Sequence, residues 1–294
     1  MNIQEFLSDE DTRTVYKLEV PELHESPDQP RIGAIGIVFD TETTGLSDSD
    51  KVFEVGAVVF EFDLETLEIY KALDTINDRW DPEKEMHPDA SAVTGVTNED
   101  LKGLKPRFRE RIVSWIQQAD IIVCHNASFD RPRLEELFPG ELEDIAFLCT
   151  YADLPPVPRR KVSRSLPFLC YEFGGFYITE GHGALVDAFA TFAMLNASFP
   201  DQDSGRTLFQ ESMAIAEEPF IRVAAPGVPY KYKDDLREAG LRWLPKFSMW
   251  GAVLRPDMAE ATLGRIKEAI GGQFSKIKTA EVTFFDKYST REWE

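Results

Sequence analysis

Short, wholly apolar runs alternate with amphipathic stretches along most of the chain. Ile35-Gly36-Ile37-Val38-Phe39 and Ile121-Ile122-Val123-Cys124 are apolar at nearly every position and bounded by turn residues. That is the pattern of strands covered on both faces. Strands are predicted near 33–40, 52–62, 66–73 and 120–124, with helices near 106–118 and 130–138. Leu185, Ala188, Phe189, Phe192 and Leu195 form one apolar stripe at helical spacing, so a further helix runs from Ala184 to about Ala197. Ser165–Phe173 reads as a helix and Leu154-Pro155-Pro156-Val157-Pro158 as a loop.

The pattern changes twice. Residues 1–30 are acidic, with proline at 21, 27 and 30, and suggest an extension holding at most a strand at Val15–Val20. Residues 201–218 read as a linker that ends in a short polar helix. Beyond 219 a strand at Phe220–Val223 and a helix at Tyr230–Ala239, stopped by Gly240, are expected. A hairpin across Pro245–Ser248, a helix near 257–270 and a strand at Glu281–Phe285 follow. The expected organisation is thus an extension (1–30), an α/β domain with a mixed sheet flanked by helices (31–200), a linker (201–218) and a small α+β accessory domain (219–294).

Chemistry concentrates at three places where apolar runs end or helices begin. Asp40 and Glu42 close the first strand two residues apart, so the pleat puts both carboxylates on one face. Asp130 follows the second run, where Asn126 or Ser128 is placed to cap a helix. Asp187 falls in the first turn or so of the third segment, with His182 before it between Gly181 and Gly183. Five residues within one helix would set His182 and Asp187 about 140° apart, so His182 must act from the glycine-flanked loop if both face one site. Carboxylate oxygens suit Mg²⁺ and Mn²⁺, and two such ions can clamp the attacking and leaving oxygens of a phosphodiester displacement. A histidine titrating near neutrality suits deprotonation of a water. His125 reads as a structural residue at a strand end.

Taken together, Asp-x-Glu-Thr-Thr-Gly (40–45), His-Asn-x-x-Phe-Asp (125–130) and His-x-x-x-x-Asp (182–187) resemble the motifs of the DEDDh exonucleases of the DnaQ-like family, a branch of the ribonuclease H-like fold. The stretch from His125 to Arg133 is most similar to the exonuclease X and RNase T neighbourhood. Ala92-Val93-Thr94-Gly95-Val96-Thr97 adds a turn of the kind that many members carry, and the likeness covers roughly residues 33–200. The resemblance implies Asp40, Glu42 and Asp187 around a first Mg²⁺ or Mn²⁺, Asp130 at a second, and His182 activating water. It further implies Thr43, Thr44, Asn126 and Phe129 near the terminal nucleotide, although Phe129 reads equally as a core aromatic. Direction and product, 3′→5′ with release of 5′-mononucleotides, come from the resemblance alone.

A formal charge of −20 argues against indiscriminate gripping of a long duplex. Its distribution is uneven: net −6 over 1–30, −17 over 31–218 and +3 over 219–294. Basic stretches at Lys105–Arg111 and around Arg159-Arg160-Lys161 and Arg164 read mainly as solvated surface. Single-stranded DNA is the expected substrate, RNA the alternative. The acidic extension and the C-terminal unit motivate a docked protein partner, or an adaptor role, as the other reading. Among the C-terminal aromatics, Tyr230, Tyr232, Trp243, Phe247 and Trp250 stand either as a small core or as stacking platforms. If they are platforms, a chain ending near residue 210 keeps its rate on very short oligonucleotides. No apolar run approaches membrane-spanning length, and three cysteines without metal spacing suggest reduced, buried thiols in a cytoplasmic protein.

Overall fold

The computed structural model describes residues 14–47, 49–154, 163–178, 183–198 and 205–293. His182, residues 155–158 of the proline-rich loop, the Arg159–Lys161 stretch and the start of the acidic extension lie outside them.

After a short strand β1 (Tyr16–Lys17), five strands form the main sheet: β2 (Ala34–Thr43), β3 (Val52–Phe62), β4 (Ile69–Arg79), β5 (Ile121–Cys124) and β6 (Ala146–Cys149). Their order is β4-β3-β2-β5-β6. The β2–β3 and β3–β4 pairs are antiparallel, and β2–β5 and β5–β6 are parallel. β1 pairs in parallel with β7 (Phe176–Tyr177) apart from that sheet. The helices of this region are α1 (Pro88–Thr94), α2 (Asn98–Leu101), α3 (Arg109–Ile116), α4 (Ala127–Leu137), α5 (Leu166–Leu169), α6 (Ala184–Leu195) and α7 (Leu208–Ala216). This is the expected mixed sheet flanked by helices.

β3 shows why its sequence is almost continuously apolar. All of its residues are buried, and the pleat divides them between two cores. Val55, Ala57 and Val59 pack in one cluster with Ile112 and Trp115 of α3 and Leu134 of α4. Val58, Phe60 and Phe62 pack in the other with Ala188 and Leu195 of α6 and Phe209 and Met213 of α7. The helix expected to end a polar linker is therefore a wall of the second core. Its start is fixed by a capping box, in which Thr207 Oγ1 accepts from Gln210 N and Gln210 Oε1 accepts from Thr207 N.

β4 runs six residues beyond its expected end at 73. It continues through Asp74 and Asp78, whose carboxylates are satisfied by tertiary partners. Asp74 accepts two hydrogen bonds from Arg111 at 2.7 and 2.8 Å and one from Trp115 Nε1 at 2.7 Å, while Asp78 accepts from the amides of Arg107 and Phe108. Part of the Lys105–Arg111 stretch is thus committed to structure. The segment expected as a helix over 165–173 is α5 followed by a π-turn at Cys170–Gly174. Asn126 occupies the N-cap of α4, but neither it nor Ser128 caps the helix: Ser128 Oγ donates to Asn126 Oδ1 instead. The three cysteines are free and buried.

The C-terminal sheet is antiparallel, ordered β11-β8-β10-β9, with β8 at Phe220–Ala225, β9 at Arg242–Leu244, β10 at Met249–Leu254 and β11 at Lys278–Val282. α8 (Lys233–Glu238) and α9 (Pro256–Ile270) cover it, bringing Leu236 and Ile266 against Val223, Trp250 and Ala252. Gly240 ends the first helical segment at φ +101°, as its sequence position suggested. The last strand lies three residues before its expected place, because the chain beyond Val282 returns to the main sheet. There Arg131 of α4, fully buried, donates to Lys287 O and Phe285 O at 2.7 Å each and to Glu135 at 3.0 Å, and lies 4.3 Å from the centroid of Phe147. Lys287 Nζ donates to Ala216 O, and Tyr288 Oη donates to Asp153. The C-terminal segment is a clasp on the main sheet. No helix among the described residues is long and apolar enough to cross a membrane.

Candidate active site

The site forms where β2 ends and two helices begin. Asp40 and Glu42 stand opposite Gly56 and Glu54 of β3, just before an irregularity at Glu42/Thr43. Asp187 arrives on the first turn of α6, and one residue determines how closely that helix approaches. A Cβ on Gly56 would lie 2.1–2.2 Å from the backbone of Ala184 and Leu185, so only glycine lets α6 settle on β3 beside Asp40. As a result, carboxylate oxygens of Asp40, Glu42 and Asp187 lie within 4.8 Å of one another. Asp130 comes from the opposite side of the sheet. Its Oδ1 accepts from Thr41 N at 3.1 Å and Thr41 Oγ1 at 2.8 Å, which fixes the carboxylate beside the cluster rather than in it.

Burial raises the proton affinities of Asp40, Glu42 and Asp130, and repulsion from neighbouring carboxylates adds to it at the first two. Asp40 is held well above the usual carboxylate range, first by desolvation and then by Asp130, Asp187 and Glu42. Desolvation, with Asp187 and Glu54 beside it, pushes Glu42 to about 8. Asp130 is pushed to about 7 by burial, against the opposing effect of Thr41 and Arg133. Such a set carries its full negative charge near neutrality only when cations compensate it. The donors are all carboxylate oxygens, the set that hard divalent ions such as Mg²⁺ and Mn²⁺ select.

Glu54 was not singled out in the sequence. It is fully buried, its Oε2 accepts from Arg79 Nη2 at 2.8 Å, and its Oε1 has no hydrogen-bond partner among the described residues. Register aligns Glu42, Glu54 and Arg79 in one row across three strands. The available signal was a single acid inside the apolar run 52–60; only the register shows that it faces Glu42.

The remaining candidates are placed as follows. Thr43 and Thr44 are buried and build the turn after β2: Thr43 Oγ1 donates to Gly45 O and Thr44 Oγ1 donates to Asp50. Phe129 is half-buried under Arg133, whose guanidinium carbon lies 3.6 Å from the ring centroid, and Asn126 is exposed at the mouth of α4. His125 bonds Thr150 Oγ1 and Arg164 O through its two ring nitrogens, and burial drives its pKa down to about 4, as befits a structural residue. His182 falls outside the described residues, immediately before Gly183, the N-cap of α6.

The model of the Exonuclease family RNase_T matches residues 37–195. DNA polymerase III subunit epsilon of Pasteurella multocida (strain Pm70) is 29% identical over 199 residues, 64% of this chain and 74% of that protein. Among solved structures, the zinc-bound complex of E. coli exonuclease I with single-stranded DNA aligns over 83% of this chain and 72% of its own, with a TM-score of 0.51 at 16% identity. Exonuclease I bound to the inhibitor BCBP aligns over 84% and 73%, with a TM-score of 0.50 at 15% identity. At these identities the structural likeness speaks for the fold alone. The family match extends from within β2 to the last residue of α6, across more than half of the chain, and the chain belongs to the DnaQ-like 3′→5′ exonucleases.

Proposed function

We propose that the chain is a metal-dependent exonuclease that removes 5′-mononucleotides from the 3′ end of single-stranded DNA or DNA ends. The observation that carries this reading is the convergence of Asp40, Glu42 and Asp187 beside a fixed Asp130, with the proton affinities of Asp40, Glu42 and Asp130 raised first by burial. Asp40, Glu42 and Asp187 would hold one divalent ion and Asp130 would help hold a second; bound there, Mg²⁺ or Mn²⁺ supplies the positive charge that lets a phosphodiester approach and stabilises its displacement. Thr41 keeps the Asp130 carboxylate oriented while Gly56 keeps Asp187 in place. The imidazole of His182 accepts the proton of the attacking water. DNA is favoured because the Pasteurella relative is a DNA polymerase subunit.

The test is a panel of 5′-labelled single-stranded DNA, duplex DNA and RNA incubated with Mg²⁺. The expected result is a ladder that shortens from the 3′ end, fastest on single-stranded DNA, with 5′-mononucleotides as products. Preferential trimming of RNA would replace the substrate, and internal cuts would overturn the reading.

A further inference from the structure

At one end of the C-terminal sheet, basic side chains stand repeatedly over aromatic rings. Lys233 Nζ lies 4.7 Å from the centroid of Tyr230, Lys231 Nζ 4.8 Å from Tyr232, and Lys246 Nζ 5.3 Å from Phe247. Register shows that they share that end. Ala225, the last residue of β8, pairs with Trp250, which pairs with Trp243. The segment leading to Tyr230 and the turn holding Lys246 and Phe247 therefore leave the sheet together.

These rings divide into two kinds. Trp250 is buried with the helices and belongs to the core. Tyr230 is 74% exposed and Trp243 47% exposed, and Trp243 is held edge-on against Trp250 at 5.8 Å. The expectation that the aromatics are either core or platform is thus split within one strand pair. On the neighbouring helix, Asp234 pairs with Arg237, and Asp235 and Glu238 add two further acids. Residues 219–294 carry a net +3, against −17 for residues 31–218.

We propose that this end of the sheet is a single-strand nucleic-acid grip, with bases stacking on Tyr230 and Trp243 while Lys231, Lys233 and Lys246 face the phosphates. It rests on the exonuclease reading for the kind of polymer, and lies outside residues 37–195, which carry the family match. Two physical features favour a nucleic-acid strand as occupant. Stacking on an exposed ring accepts any base, and a nearby ammonium meets the phosphate that follows it. The cleavage site is itself rich in carboxylates and a poor electrostatic host for a polyanion, so grip supplied elsewhere complements it.

The test uses the full chain carrying Tyr230→Ala with Trp243→Ala, and separately Lys231→Glu with Lys246→Glu, on oligodeoxythymidines of about 4 and about 30 nucleotides. On the long strand the aromatic pair should raise KM about tenfold or more, with kcat/KM on the short strand unchanged. The charge reversals should lower the salt slope of long-strand binding by about two. These two lysines are exposed, so the reversed variant isolates charge if the aromatic variant loses stability. An unchanged long-strand KM, or equal losses on both lengths, overturns the grip. Lost binding of a glutamate-rich peptide with strand binding intact would overturn it in favour of protein docking. A wild-type chain that cleaves neither length overturns the exonuclease reading itself, whereas wild-type cleavage indifferent to the substitutions overturns only the grip.

Discussion

At the end of β2, carboxylates converge within 4.8 Å in a half-buried recess; at the end of the C-terminal sheet, lysines stand over rings that remain in water. The first arrangement is electrostatically incomplete on its own. Its groups lie close and dry enough that Glu42 and Asp130 retain protons near neutrality, and only a cation lets them act as anions together. The second is complete, because each ammonium rests near a π face, a contact worth about 0.5–1 kcal/mol at exposed sites, and Lys233 Nζ also donates to Tyr230 Oη. Crowded like charges thus mark where a cofactor belongs, whereas spaced opposite features mark a surface on which a polymer can slide.

Removing a member of the crowded set should break the comparison most sharply. Asp40→Ala is expected to abolish cleavage, while the metal-free protein melts no lower than wild type, since one source of repulsion is gone; residual turnover near the wild-type rate would refute the assignment. Next in size is His182→Ala, which should slow the chemical step by about 10²–10⁴-fold. Mn²⁺ binding measured by calorimetry should be retained, and single-turnover kinetics that do not change would leave His182 an ordinary loop residue.

The clasp gives a third prediction, which revises the expectation that a chain ending near residue 210 keeps its rate on short oligonucleotides. Deleting residues 283–294 removes the Lys287 and Phe285 carbonyls from the buried Arg131, one residue from Asp130. Glu135 stays with Arg131, and each hydrogen bond lost from a buried charge costs roughly 1.5–3 kcal/mol. Urea unfolding should show a loss of that order, with activity falling on short and long strands alike. An intact denaturation midpoint would show that the two regions are independent. The smallest effect is expected from Glu54→Gln, which keeps the shape but removes a charge facing Glu42. Metal affinity should fall about tenfold, within the range for groups that support ligands, and an affinity equal to wild type would reduce Glu54 to a partner of Arg79.

The chemical residues were legible because each sits where a local period ends. The pleat places Asp40 with Glu42, and the apolar stripe of α6 locates Asp187. Less legible was whatever depends on partners distant in sequence. The strand expected to end at 73 runs on through Asp74 and Asp78 because Arg111, Trp115 and the amides near 107 are brought to them. Phe209 and Met213 looked like part of a linker because the second core they cover is assembled from β3 and α6. Gly56 and Glu54 acquire meaning only from register, which sets one against α6 and the other against Glu42. The clasp beyond residue 283 had no sequence signal, since the partners of its Phe285 and Lys287 carbonyls and of its Lys287, Tyr288 and Ser289 side chains all lie far away along the chain.

The central claim is that the β2-end carboxylates are a cation site whose protons must leave for metal to bind. Their folded-state pKa values lie above those of an unfolded chain, so the metal-free fold loses stability as pH rises from about 4, where unfolded carboxyls ionise, to about 7 to 8, where Asp130 and Glu42 do and the loss levels off. Divalent ions should replace that loss. The direct measurement is calorimetric Mn²⁺ titration of the full chain between pH 6 and pH 9, in buffers of different ionisation enthalpy, beside thermal melts with and without the metal. The account predicts proton release on binding at the lower pH that fades above about 8, tighter binding at higher pH, and a metal-induced rise in Tm that grows with pH. Binding without proton release at any pH, or cleavage undiminished in EDTA, would contradict it.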